Sequence, residues 1–275
     1  MTRLPPIAMS HPGLSLRPDG AVRVHRTLPE ETAVAMVYDG TTQAVMMATP
    51  ANIGDFALGF SLGEGIVTDP AQIEEIEIAP QENGIEARMW LHADRRAALD
   101  ARRRFMAGPV GCGLCGIDSL AEATRPLPAV SGDTLRLTRA EVAAASDALR
   151  AHQPLHDQTH ASHAAGFLIP GQGIVMARED VGRHNALDKL IGALARAGIA
   201  PSTGAFVLTS RLSVELVQKC AIAGGPALIA VSAPTAHALR LAEGAGITLA
   251  AFARGGGFDV YSHPHRITSE VTDVA

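Results

Sequence analysis

The chain has 275 residues, 47% of them hydrophobic, and a formal net charge of −5. That is enough for one large core or two modest ones, and the mildly acidic balance argues against nucleic-acid binding driven by net charge. No apolar run reaches the roughly 18–20 residues that cross a bilayer. The proline-broken start, MTRLPPIAMSHPGLSLRPDG, lacks the apolar stretch of a secretory signal. A soluble, cytoplasmic chain without membrane or nucleic-acid partners is the expectation.

The first half reads as a small α+β unit. AVAMVYDGTTQAVMM holds two strand-like runs around Asp39-Gly40, a hairpin turn signal. TPANIGDFALGFSLGEG follows, with Pro50 in a first-turn position. Ile53, Phe56, Ala57 and Phe60 form one helical stripe, and Gly65 is the stop. A second hairpin is predicted around Asn83-Gly84, after which Ile85, Ala87, Met89 and Leu91 alternate with polar or exposed positions as in a half-buried strand. Asp94 to Met106 has helical character. RPLPAVSGD, with two prolines and a Ser-Gly-Asp turn, is the linker candidate. It divides the chain into an α+β domain over 1–128, ending in a glycine-rich cysteine loop, and an α/β domain over 129–275.

The second half changes rhythm. Thr138 and Glu141 make a capping box that opens a helix running to about Arg150. GFLIPGQGIVMA is read as two strands around Pro170-Gly171. Then IVMA, AFVLT, ALIAV and ITLAAFA alternate with helices starting near Asn185, Ser213 and Thr235, which implies parallel strands with helical crossovers and a three-layer domain.

Ligands of open α/β sheets bind beyond the carboxyl ends of the strands. Those ends carry Arg178-Glu179-Asp180, Ser210-Arg211, Ser232-Ala233-Pro234 and Arg254-Gly255-Gly256-Gly257. Three arginines suit an anionic ligand, and the glycine triplet lets backbone N–H groups approach phosphate oxygens. Neither a P-loop nor a dinucleotide fingerprint is present. Solvated arginines and an ordinary turn are the plain alternative. His184 and Asp180 read as an acid–base pair or as caps of the helix that follows, and Cys220 as a small buried hydrophobe.

Only three cysteines occur, two of them, Cys112 and Cys115, in GPVGCGLCGIDSL. So sparse and odd a count opposes a disulfide scaffold. Three uses of the C-x-x-C remain open. Zinc would need a second ligand pair, for which His156, His160 and His163 offer helical spacing. Thioredoxin-like redox chemistry wants the motif at a helix start, whereas here a helix precedes it. Sulfur carriage needs an accessible thiolate of lowered pKa, which Arg102, Arg103 and Arg104 just upstream would favour; those arginines read equally as a solvated helix face.

GCGLCGIDSL, REDVGRHNALDKLIG, LTSRLSVELVQKCAIAGGP and FARGGGFDVYSHPHRI together resemble the formate dehydrogenase accessory protein family (FdhD), as does TPANIGDFALGFSLGEGIV. The likeness extends over most of the chain beyond about residue 28. It implies a sulfurtransferase that accepts persulfide sulfur from a cysteine desulfurase. The sulfur then passes to the molybdenum of bis-molybdopterin guanine dinucleotide, bound as substrate, in support of formate dehydrogenase. By position, Cys112 would carry the persulfide, and Cys115 would accept the sulfur or resolve the persulfide. Phe252, Ala253, Arg254, Gly255, Gly256 and Gly257 would bind the cofactor. The resemblance also implies a cytidine-deaminase-like C-terminal domain, a homodimer and no metal held by the protein itself. A non-catalytic cofactor chaperone and a zinc-dependent deaminase-like hydrolase are the competing readings. The last is disfavoured because His163-Ala164-Ala165 has alanine where the catalytic glutamate of a deaminase stands.

Overall fold

The structure, a computed structural model, describes residues 3–105, 127–130 and 134–268. Cys112, Cys115 and the Ser131-Gly132-Asp133 turn therefore lie outside the described residues.

The chain opens with a ribbon that the prolines had disguised. Strands β1 (Ala8–Arg17) and β2 (Gly20–Pro29) pair antiparallel, with Arg17 opposite Gly20. Pro18-Asp19-Gly20 supplies the turn, with Gly20 at φ 136°. Leu14 and Leu16, 62% and 75% exposed, stand near its tip.

Next come both predicted hairpins. β3 (Thr32–Tyr38) and β4 (Thr41–Ala48) are joined through Asp39 and Gly40, at φ 49° and 80°, the left-handed pair a two-residue hairpin turn demands. β5 (Ile73–Gln81) and β6 (Gly84–Leu91) form the other. The four make a sheet of order β4-β3-β6-β5, with β3 and β6 parallel at its centre. Helix α1 (Ile53–Gly63) bridges the hairpins and buries Ile53, Phe56, Ala57 and Phe60, the predicted stripe, against Val34, Met36, Ile85 and Met89. Its N-cap is Asn52, in the left-handed conformation, so Pro50 precedes the helix and does not occupy its first turn. Gly65, at φ 67°, follows the last turn. Helix α2 (Ala93–Phe105) closes this part.

Short strand β7 (Leu137–Thr138) leads into α3 (Arg139–Arg150), whose N-terminus carries the predicted box: Thr138 Oγ1 accepts from the Glu141 amide, and Glu141 accepts from the Thr138 amide. After α4 (Pro154–Thr159) come β8 (His163–Ile169), β9 (Gly173–Asp180), α5 (Arg183–Arg196), β10 (Ala205–Leu208), α6 (Val214–Ile222), β11 (Ala227–Ala230), α7 (Ala236–Ala245), β12 (Thr248–Arg254), β13 (Gly257–Ser262) and β14 (Ile267–Thr268), which pairs with β7. The sheet order is β13-β12-β11-β10-β8-β9.

Strands β10, β11 and β12 are parallel neighbours, as the alternation implied, but β9 is not adjacent to β10. The tight turn after Ile169 folds β9 back along the outer side of β8. Helix α5 then carries the chain past β8, which sits antiparallel to both β9 and β10. The carboxyl ends of β9 to β12 still share one edge.

Alternate residues of these strands serve two cores. Phe167, Phe206, Leu208, Leu228, Leu249 and Ala251 face α5, α6 and α7. Ala164, Val207, Ile229, Ala250 and Ala253 face Val142, Ala145 and Leu149 of α3. This is the three-layer arrangement.

The two halves are joined by a charged seam. Helices α1 and α5 cross at Gly59 and Gly192 so closely that a Cβ on Gly59 would stand 1.7 Å from the Asp188 carbonyl oxygen, and one on Gly192 1.9 Å from that of Asp55. Around the crossing, Asp55 pairs with Arg178 at 2.8 Å and with Arg196 at 3.2 Å. Lys219 lies 2.8 Å from Glu64 and 2.9 Å from Asp188. Burial alone would lower the Lys219 pKa, but Asp188 and Glu64 outweigh it and raise it. Asp180 and Lys189, both fully buried, are 2.6 Å apart.

Candidate functional site

The polar groups that sequence reading placed at strand ends do three different jobs. Asp180 is neither acid–base catalyst nor cap. Its carboxylate accepts from Lys189 Nζ, from the Thr49 and Gly182 amides at 3.0 and 2.7 Å, and from Asn185 Nδ2 at 3.0 Å. Gly182, not Asp180, is the N-cap of α5. A buried carboxylate with four donors is fully spoken for, and its work is to hold the first half against the second. His184 sits beside Ser213 and Glu215, 3.4 and 3.8 Å from Nε2, and burial, followed by Arg183, pulls its pKa down to about 4. Cys220 is fully buried as expected, and burial pushes its thiol pKa up, so it is no nucleophile.

The arginines separate in the same way. Arg178 turns its guanidinium to Asp55 across the seam, and Arg211 is exposed and is not among the residues that line the strand-end cleft. Arg254 alone of the three faces the strand-end cleft.

That cleft, about 580 Å³, lies at the carboxyl edge between the end of β9, β10, β11 and β12 on one side and α3 and α4 on the other. Arg254, Thr209, Val231 and Val181 come from the strand ends; Ser146, Asp147 and Arg150 come from α3; His156, His160 and His163 complete it. The three histidines do share one wall, but not one helix: α4 ends at Thr159, His160 is its left-handed C-cap, and His163 begins β8. His156 is set by its neighbours. Glu179 accepts from the Leu155 and His156 amides, both at 2.8 Å, and from Ser162 Oγ at 2.9 Å, pinning the start of α4. His156 Nδ1 is 3.1 Å from the Ser162 carbonyl oxygen, which can only accept, so Nδ1 is the donor in that contact. Burial and then Arg183 hold the His163 pKa below its usual value. No group of three or more His, Cys, Asp or Glu side chains able to hold a metal occurs among the described residues. Ala165, where a deaminase would need glutamate, is buried in the core.

The segment Phe252 to Gly257 forms the end of β12 and its turn into β13. Phe252 is bulged out of the ladder at φ 53° and is 36% exposed. The bulge breaks the strand's alternation, so that Ala253 packs its methyl group under α3, on the face that Phe252 would otherwise have taken. Gly255 and Gly256, at φ 60° and 79°, make a tight two-residue turn, with Arg254 paired to Gly257. The plain turn reading is thus correct as far as the backbone goes. Open space surrounds all three glycines, since a Cβ on any of them would meet nothing within 4 Å. A ligand's oxygens have room to reach that backbone.

Asp147 and Ser146 escaped sequence reading, because an acid on an amphipathic helix reads as solvated surface. Their only signal was position, one turn before Arg150 at the end of the helix that covers the sheet.

Among the described residues no helix is long and apolar enough to cross a membrane. Residues 29–268 match the model of the FdhD/NarQ family. The sulfur carrier protein FdhD of Brucella abortus biovar 1 (strain 9-941) is 53% identical over 254 residues, covering 92% of this chain and 94% of its own. That of Agrobacterium fabrum is 50% identical over 242 residues, 88% of this chain and 89% of its own. The crystal structure of a protein from Desulfotalea psychrophila, assigned as a formate dehydrogenase accessory protein, superposes with a TM-score of 0.75 at 25% identity, covering 96% of this chain and all of the other. Sequence kinship at half identity over nearly the whole length, and the same fold, place the chain in the FdhD/NarQ family.

Proposed function

We propose that this chain is a sulfur carrier in formate dehydrogenase maturation. It takes sulfane sulfur from a cysteine desulfurase on Cys112 and delivers it to the molybdenum of a bis-molybdopterin guanine dinucleotide held at the strand-end cleft. The observation that carries this reading is kinship with proteins named sulfur carriers, at 50–53% identity over about nine-tenths of the chain. The cleft adds to it. Its volume is that of a pocket for a drug-sized ligand, suited to one nucleotide end of the cofactor and not to its whole length. Arg254 supplies a cation for phosphate within the cleft, and the turn that follows it in the chain, Gly255–Gly257, has approachable backbone.

The chemistry balances without a protein-bound metal. The Cys112 thiolate attacks the terminal sulfur of the donor persulfide. A sulfur–sulfur bond forms on Cys112 as the donor's breaks, and the donor cysteine leaves as thiolate with no net redox change. Attack by the Cys115 thiolate on the inner sulfur of Cys112 then releases the outer sulfur as hydrosulfide. The two electrons come from the cysteines, which end as a disulfide and are reset by a dithiol reductant. In this reading the protein works in the cytoplasm as a homodimer.

The test is mass spectrometry of the Cys112 peptide after incubation with desulfurase and cysteine. One added sulfur is expected, and Cys112→Ala should abolish activation of formate dehydrogenase. Full activation by Cys112→Ala, combined with loss of activation in Arg254→Ala, would instead make the protein a cofactor-binding chaperone.

A further inference from the structure

We infer that Glu179, which does not itself line the strand-end cleft, is a positioning residue for it: its carboxylate ties down both ends of the segment from Leu155 to Ser162 and so holds His156 in place to meet a phosphate of the ligand. This rests on the reading that the cleft receives one nucleotide end of the cofactor.

His156, His160, Ala161, Ser162 and His163 make up one wall of the cleft. The segment is poorly equipped to keep that place by itself. Helix α4 has six residues, too few for a helix that is stable alone. Its N-cap, Gln153, makes no side-chain capping bond, and it ends at His160 in the left-handed conformation, φ 53°.

The missing acceptor comes from β9. Glu179 Oε2 accepts from the Leu155 amide and Oε1 from the His156 amide, both at 2.8 Å and from residues 24 and 23 positions away in the chain. Oε1 also accepts from Ser162 Oγ at 2.9 Å, so the far end of the segment is tied to the same group. Ser162 in turn holds the ring, its carbonyl oxygen lying 3.1 Å from His156 Nδ1. In a protonated imidazole both nitrogens donate, so with Nδ1 given to that carbonyl the other N–H is available to a phosphate oxygen. Carboxylate, hydroxyl, carbonyl and ring thus form one chain of contacts that ends at the cleft. The negative charge of Glu179 is met by three donors and kept off the surface that an anion would touch.

The experiment is calorimetric titration of the full-length protein with GDP, the probe for the nucleotide end. It compares wild type, Glu179→Ala, Glu179→Gln, His156→Ala and the double variant Glu179→Ala/His156→Ala, with a melting temperature for each. His156→Ala should weaken GDP binding about tenfold or more, the worth of one charge-assisted hydrogen bond. Glu179→Ala should weaken it by a similar factor. The double variant should then be no weaker than His156→Ala, because the ring that Glu179 serves is gone. Glu179→Gln keeps the shape and an acceptor oxygen but turns N–H₂ toward one donor, so its affinity should fall between those of Glu179→Ala and wild type. Factors that multiply in the double variant, as a clamp of purely structural value would give, overturn the positioning role; so does wild-type affinity in Glu179→Ala. Should Glu179→Ala fail to fold, the same cycle is read with Glu179→Gln, and wild-type affinity in that variant overturns the role. Failure of wild type to bind GDP overturns the cleft assignment itself, and this inference with it.

Discussion

Helix α1 contains two glycines whose replacement by alanine should have opposite consequences. At Gly59 the new Cβ would lie 1.7 Å from the Asp188 carbonyl oxygen, 2.6 Å from its carbonyl carbon and 2.8 Å from the Gly192 nitrogen. All three atoms are backbone, so no rotamer change relieves the clash, and the helices must separate by well over an ångström. At Gly54 the nearest atom, at 2.9 Å, is the tip of the Arg196 side chain, which is 59% exposed and can swing aside. Alanine favours either helical position intrinsically, by up to about 1 kcal/mol. Against that, overpacking costs about 1–3 kcal/mol and more where the backbone must move. The separation also stretches the Asp55–Arg178 and Lys219–Asp188 pairs that flank the crossing. Gly59→Ala should thus lose about 2–4 kcal/mol net, and Gly54→Ala should stay within about 0.5 kcal/mol of wild type or gain slightly. Equilibrium urea denaturation of the two variants measures this directly, and the melting temperature of Gly59→Ala should fall by roughly 2–4 °C per kcal/mol. Indistinguishable stabilities for the two would refute the claim that backbone contact at Gly59 and Gly192 holds the halves together.

Lys189→Met should cost about 3–5 kcal/mol in the same assay, because it strands the buried Asp180 carboxylate; adding Asp180→Asn should recover a large part of that loss, and simple additivity would deny the coupling. Gly257 has neither a left-handed φ nor a neighbour within 4 Å, so Gly257→Ala should fold like wild type. Its methyl group would nevertheless obstruct phosphate at the turn, and GDP affinity should fall about tenfold or more; unchanged affinity would remove the turn from the binding site. The unfolded chain takes up a proton at His184 near pH 6.5, while the folded chain does so only near pH 4. The stability supplied by neutral His184 is therefore complete above pH 6.5 and declines as pH falls from there toward 4. His184→Gln should flatten that decline by up to about 1.4 kcal/mol per pH unit, and equal wild-type and variant slopes between pH 7 and 5 would count against it.

What could be foreseen was local. The Asp39-Gly40 turn, the α1 stripe and the Thr138–Glu141 box each involve residues a few positions apart, and each formed as read. What could not be foreseen joins distant parts. Gly59 reads as a weak point in a helix until Gly192 is found against it, and Asp180 reads as an active-site acid until Thr49 and Lys189 close around it. Arg178 misled for the same reason, its partner Asp55 lying in the other half. The insertion of β8 between β9 and β10 leaves every periodicity unchanged, so no pattern of apolar residues could reveal it. The ribbon hid differently. Neither its turn nor its strands were read, because both faces are largely solvated and strand periodicity is imposed by burial. At the cleft, Arg254 was legible as a strand-end cation, whereas Asp147 acquires meaning only once α3 is laid across the sheet.

Val181 belongs to two neighbourhoods at once. Its amide donates to Thr49 Oγ1 at 3.1 Å, a bond to the first half of the chain, while the residue itself forms part of the cleft wall in the second. Whatever fills the cavity must lean on a residue that is also a rivet between the two lobes. A substitution at Thr49 that removes this bond should therefore loosen the cavity wall as well as the join between the two halves.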